Sequence, residues 1–313
     1  MSGTGAKGLQ EAKDALSPSA AAAEAADPYK TVKDCLAGTA GGIGQVLAGQ
    51  PFDCIKVRLQ TTSGVYSGAL DAATKTFKNE GPKAFYKGTL TPLLGVGACV
   101  SIQFGVFGAM KRYFDAKNSG GPLSNGQLYL GGGLAGAANS LIVGPVEHIR
   151  IRLQAQSDAN KLYNGPLDAA KKIYANRGIR SVYRGFGPTL LRESHGTGIY
   201  FFTYESLLKW DMTTNGRKRE EIPAWKLCMF GAAAGYSMWL TVYPVDVVKS
   251  RLQTDGFGSK QVYKNALDCF RQTVARDGVK ALFRGFSPVL VRAAPANAAT
   301  FLCYEYSRST IFK

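Results

Sequence analysis

The 313-residue chain carries 38 Lys and Arg against 22 Asp and Glu, a formal net charge of +16. Its bases are not gathered into an arm or tract, so they suit anionic lipid headgroups and an anionic or zwitterionic solute, and no nucleic-acid partner is expected. Six cysteines without a CxxC, two histidines, no P-loop and no Gly-x-Ser-x-Gly argue against a zinc site and an enzyme, so neither metal nor cofactor is expected. Residues 1–28 are rich in Ala, Ser and Gly, lack a signal-peptide core and an EF-hand loop, and predict a flexible tail. Beyond them one pattern occurs three times: Pro51, Asp53, Lys56, Arg58 and Gln60; Pro145, Glu147, Arg150, Arg152 and Gln154; Pro244, Asp246, Lys249, Arg251 and Gln253. A period that long is a whole module, which divides the chain into repeats at 29–118, 119–220 and 221–313.

Ahead of each proline stands a pair of glycines (Gly38 and Gly42, Gly132 and Gly136, Gly231 and Gly235), a small-residue face that lets helices approach closely. Behind it come Gly, four residues, an aromatic, a base and Gly: Gly81 to Tyr86, Lys87 and Gly88; Gly178 to Tyr183, Arg184 and Gly185; Gly278 to Phe283, Arg284 and Gly285. Pro92, Pro188 and Pro288 then open a second apolar stretch, so each module reads as helix, short amphipathic helix, helix. Residues 88–110, 119–146 and 227–245 contain no charge, and the first two exceed the roughly 20 residues that cross a bilayer. Arg192, Glu193 and Arg292 interrupt the fourth and sixth segments. A mean hydropathy of −0.08 fits helices with lipid on one side and a watery cavity on the other. A soluble helical solenoid is the competing all-α reading, and it rarely holds uncharged runs of this length.

The triplicated Pro-x-acid-x-x-base, with Gly-x4-aromatic-base-Gly, resembles the mitochondrial carrier family over residues 29–312. The resemblance implies an all-α membrane protein with six transmembrane helices in three pseudo-symmetric repeats, each with a short amphipathic helix on the matrix side. It also implies a monomer of the inner mitochondrial membrane, with cardiolipin as lipid partner at the matrix side, moving a small-molecule substrate by alternating access. Pro51, Pro145 and Pro244 are expected to kink the odd helices. Asp53, Glu147 and Asp246 then pair with Lys56, Arg150 and Lys249 as a matrix gate, the base of one repeat meeting the acid of the next. Gln60, Gln154 and Gln253 match the positions that brace each pair. The cytoplasmic gate is less complete: Glu205 is expected to meet Arg308 and Glu305 to meet Lys111, whereas Gly108 and Leu208 replace the third pair.

Charges inside a membrane are functional by default. Arg192, Arg292 and Gly95 are repeat equivalents at one depth, about 20 Å from the cytoplasmic gate at 1.5 Å per residue, and the family's substrate contacts fall on them. Arg192 followed by Glu193 resembles the amino-acid and carnitine branch, with Arg taking a carboxylate and Glu193 an ammonium. Mutual neutralisation of Arg192 and Glu193 is the bland alternative. Gln103, Tyr200 and Thr300 share another level, where Gln103 is a further candidate contact. His195 is read as a packing histidine before a proton carrier. Two arginines favour a glutamate-like solute, with an acylcarnitine or basic amino acid as runner-up; a non-transporting membrane scaffold is the alternative of another class.

Overall fold

A computed structural model describes residues 30–62, 64–118, 123–157 and 161–311. The expected N-terminal tail lies outside the described residues. The helices are α1 Lys30–Thr61, α2 Ala69–Glu80, α3 Leu90–Lys117, α4 Asn125–Ala155, α5 Pro166–Arg177, α6 Ile179–Val182, α7 Phe186–Asn215, α8 Ala224–Thr254, α9 Ala266–Asp277 and α10 Phe286–Tyr306. No strand occurs among the described residues. Pro51, Pro145 and Pro244 lie inside α1, α4 and α8, which continue through them.

The long helices are polar for membrane spans. Among the described residues no single helix is long and apolar enough to cross a bilayer on its own, although Pro82–Gly95 with Gly97–Lys117, bent by 44°, are so together. The physical reason lies in the sequence: glycines and hydroxyls dilute the spans, and Arg192, Glu193 and Arg292 add interior charges to the fourth and sixth.

The chain divides into two compact units, Val46–Pro295 and the pair Met1–Gln45 with Ala296–Lys313. Within the smaller unit, Gly41 and Gly44 lie close to Thr300 and Cys303, where an added Cβ would come within 3.0 and 2.6 Å. Gly38, one of the predicted small-face residues, faces open space instead. Within the larger unit α4 packs on α3 and α7, and α7 packs on α8. There Gly132 and Gly136 do what the sequence predicts: a Cβ on Gly136 would sit 2.2 Å from the Glu193 carbonyl oxygen. Gly235, its third-repeat counterpart, meets nothing within 4 Å.

The three short helices α2, α5 and α9 start alike. Asp71, Asp168 and Asp268 each accept a backbone N–H from four residues earlier, Ser67, Asn164 and Lys264, at 3.0, 2.9 and 2.8 Å. Each helix also leaves its first leucine exposed (Leu70, Leu167, Leu267), an apolar edge suited to a lipid interface. After each, Gly88, Gly185 and Gly285 turn the chain with φ of 77°, 79° and 81°. That left-handed geometry strains any residue with a Cβ, and here a Cβ would also strike a neighbour. Gly88 abuts the Arg150 carbonyl oxygen, Gly185 the Gln253 side chain and Gly285 the Lys56 carbonyl oxygen, at 3.1, 2.9 and 3.0 Å.

Candidate functional site

At the proline-motif end of the larger unit three acids and three bases close into a ring. An acid and a base three residues apart share a helix face, so each of α1, α4 and α8 presents one of each sign. Arg150 donates to Asp53 at 2.7 Å, Lys56 pairs with Asp246 at 2.6 Å, and Lys249 pairs with Glu147. All six gate residues named from the sequence are brought together, but in the opposite sense to the expected one. The acid of each repeat holds the base of the repeat that follows. Packing explains the sense: through Gly88, Gly185 and Gly285 each base-bearing segment is seated on the repeat before it, within reach of that repeat's acid. Lys56 also lies over the Trp239 ring, 4.5 Å from its centroid, a cation–π contact that adds to its ion pair.

The two interior arginines join this ring. Arg192 donates to Glu147 at 2.8 Å, approaches Asp246 at 3.8 Å and pairs with Glu193. Arg292 stands 3.0 Å from Asp53. Each ring acid thus faces a gate base and an interior arginine at once. Five bases face four carboxylates across the site, an excess of one positive charge that falls on the group of Asp53, Arg150 and Arg292. A cavity of about 140 Å³ opens between them, lined by the ring residues together with Arg192, Arg292 and Trp239.

Glu193 is placed differently from expectation. Its oxygens accept from Arg192 and, at 3.2 Å, from the buried Asn139 of α4, so both are engaged before any solute enters. Gly95 and Gln103 do not line the cavity: a Cβ on Gly95 would meet Val146 at 3.5 Å, and Gln103 donates to Thr197 at 3.4 Å. His195 lies 2.7 Å from the Tyr129 hydroxyl, within hydrogen-bond distance through Nδ1.

The glutamine braces are unequal. Gln60 donates to Asp246 at 3.0 Å and braces its pair. Gln154 and Gln253 do not: the Gln154 amide nitrogen and both polar atoms of the Gln253 amide are buried without a partner. The second brace is instead Gln50, just before Pro51 and fully buried. It accepts from Arg150 at 2.8 Å and donates to the Lys87 carbonyl at 2.9 Å. Its third-repeat counterpart, Tyr243, donates to the Arg284 carbonyl at 3.0 Å, so the residue before the proline anchors the turn in two repeats. In the second repeat that position is Gly144. Sequence reasoning also missed Gly49, where a Cβ would lie 2.7 Å from Arg292 Nε; glycine there leaves the guanidinium room to reach Asp53.

At the other end Glu205 pairs with Arg219, at 3.2 Å. Lys111 is exposed. Leu208 is buried against Ile222 and Phe230, an apolar contact where a base is absent. The side chains of Glu305 and Arg308 lie outside the described residues.

Three helical repeats that converge on an interior ring of charges, beside a small polar cavity, define a membrane solute carrier. Comparison with known families matches residues 27–118, 121–214 and 220–313 to the mitochondrial carrier protein family. The chain belongs to that family. It is 54% identical over 280 residues to the glutamate/glycine mitochondrial carrier ymc1 of Schizosaccharomyces pombe, covering 88% of this chain and 93% of the relative. It is 51% identical over 285 residues to the mitochondrial glycine transporter YMC1 of Saccharomyces cerevisiae, covering 89% and 91%. The mitochondrial carrier protein YMC2 of the same yeast is 47% identical over 296 residues, covering 88% of each. This chain is therefore a multi-pass transporter of the inner mitochondrial membrane that works by alternating access, and its substrate is a small molecule.

Proposed function

We propose that the transported solute is an amino acid with two carboxylates, glutamate or a close relative, and that the ring is the matrix gate of its pathway. The observation that carries this reading is the attachment of Arg192 and Arg292 to the ring acids. A solute carboxylate entering the cavity competes with Glu147 for Arg192 and with Asp53 for Arg292. Each exchange swaps one ion pair for another, so the solute is bound while the gate acids lose a partner. Glu147, and Glu193 once Arg192 turns to the solute, are then open to the solute ammonium. A net charge of −1 on the solute matches the single excess positive charge of the site.

The relatives named glutamate/glycine and glycine carriers support an amino acid. A long acyl chain is disfavoured: the cavity is about 140 Å³ and charge-lined, below the roughly 300–1,000 Å³ of drug-sized sites, and Val146 packs against Gly95. At the opposite end Glu205 with Arg308 and Glu305 with Lys111 close the cytoplasmic gate in the alternate state. The working modules are 29–118, 119–220 and 221–313, in a monomer without a nucleic-acid partner. Cardiolipin is the proposed lipid, and an apolar groove of about 400 Å³ between Phe52, Leu70, Phe85 and Val291 supports acyl-chain contact at the matrix side.

The test is uptake into proteoliposomes of radiolabelled glutamate, glycine, acylcarnitine and a nitrogen-free dicarboxylate, by the parent and Glu193→Gln. Glutamate uptake is expected, with Glu193→Gln impairing amino acids more than dicarboxylate. Preferred uptake of acylcarnitine, or equal loss for all solutes, overturns the assignment. Absence of uptake of any solute supports the scaffold reading.

A further inference from the structure

The second repeat reverses a charge that the other two repeats keep. The residue before the glycine that closes each short helix is Glu80, Arg177 and Asp277 in turn. Glu80 holds Arg58 at 2.5 and 2.9 Å, and Asp277 holds Arg251 at 3.0 Å. Arg177 can do neither. Its counterpart Arg152 is held instead by His148 Nε2 at 2.9 Å, the Tyr163 hydroxyl at 3.1 Å and the Asp255 carbonyl at 2.7 Å. Since Arg152 donates to Nε2, His148 is neutral and donates its Nδ1 proton to the Val182 carbonyl, 3.0 Å away. The interior of the repeat is satisfied without an acid, and Arg177 is left on the surface.

There it lines a pocket of about 300 Å³ with Arg180, Arg184 and Lys264, and no carboxylate lines it. Arg184 is anchored to Asp255 at 2.5 Å. Arg177, Arg180 and Lys264 are exposed and make no ion pair among the described residues. The far wall is a braced loop: Asp255 accepts the N–H groups of Gly256, Val262 and Tyr263 at 2.8, 3.0 and 3.0 Å. Three like charges facing one concavity repel one another, and a multivalent anion relieves that repulsion. Guanidinium pairs suit phosphate oxygens in particular.

We propose that this pocket binds a phosphate-bearing polyanion at the matrix face, apart from the solute cavity, with which it shares no lining residue. The phosphate comes either from a soluble ligand or from a lipid headgroup. The experiment is calorimetric titration of pyrophosphate into the full chain in nanodiscs of neutral lipid, repeated with anionic lipid. Arg177→Gln with Arg180→Gln, and separately Lys264→Gln, should each raise Kd about 10-fold or more. Arg271→Gln, an exposed base of α9 outside the pocket, should leave it unchanged. Melting temperatures without ligand identify any variant that misfolds, and the surface change Lys264→Gln stands as the independent check. Loss of pyrophosphate binding in anionic nanodiscs assigns the site to a headgroup; its persistence assigns a soluble ligand. No binding in neutral nanodiscs, or parent-like Kd in the pocket variants, overturns the proposal.

Discussion

Replacing Gln50, Gln60 and Gln253 one at a time by Met, a side chain of similar volume, separates the sequence motif from the bonding. Gln60→Met removes one hydrogen bond to the buried Asp246 carboxylate, about 1.5–3 kcal/mol for a charged partner. Gln50→Met removes a charged bond to Arg150 and also leaves the Lys87 carbonyl without its donor, so its cost should be larger by about 1 kcal/mol. Gln253→Met removes two polar atoms that are buried and already unpartnered, so its effect should be near zero or stabilising. At about 2–4 °C per kcal/mol, Gln60→Met should lower the melting temperature by roughly 3–12 °C and Gln50→Met by about 2–4 °C more. Tryptophan fluorescence in a thermal ramp on the detergent-solubilised protein reads this directly. Equal shifts for Gln60→Met and Gln253→Met, or a parent-like Gln50→Met, would refute the reasoning.

Arg292→Ala should raise the apparent KM for glutamate about 10- to 100-fold in proteoliposomes, from loss of a charged hydrogen bond; an unchanged KM removes Arg292 from the pathway. Burial would raise the Glu80 pKa, but hydrogen bonds from Arg58 and Lys87 outweigh it and hold the carboxyl at about 2. Its contribution to stability is therefore complete above the ordinary value near 4.3 and disappears as pH falls toward about 2. Stability of the parent should drop more steeply across that window than that of Glu80→Gln, as followed by circular dichroism, and parallel curves would contradict the assignment. Gly136→Ala drives a methyl into the Glu193 backbone and should cost about 1–3 kcal/mol. The symmetry-related Gly235→Ala meets nothing and should melt like the parent; equal losses would show that small-residue spacing alone sets the contact.

The repeat period, the helix–short helix–helix module and the six gate charges were all legible, because each depends on residue type at fixed spacing within one helix. What spacing does not carry is which neighbour a helix end meets. The sense of the Asp53–Arg150 pairing was therefore read backwards, and it is fixed by the contacts of Gly88, Gly185 and Gly285 with the following segments. The braces show the same limit. Gln60, Gln154 and Gln253 are equivalent as letters, yet small shifts in approach leave only the first bonded. Gln50 escaped notice because its counterparts are Gly144 and Tyr243, so no three-fold pattern marks it. Arg192 and Arg292 were found as charges inside apolar runs. Their reach to the ring acids depends on side-chain length and on the space above Gly49, neither of which periodicity encodes.

The three gate pairs of the ring all run the same way round. Asp53 reaches Arg150, Glu147 reaches Lys249 and Asp246 reaches Lys56, while Gly88, Gly185 and Gly285 follow the same order. Such head-to-tail contacts either close on themselves or continue without limit, and here the third module returns to the first. The covalent chain is thus a cut made in a cycle, and the position of the cut is a matter of translation rather than of ring chemistry. A gene rearranged to begin with the second module, its old ends joined by a linker, would encode the same circle of contacts.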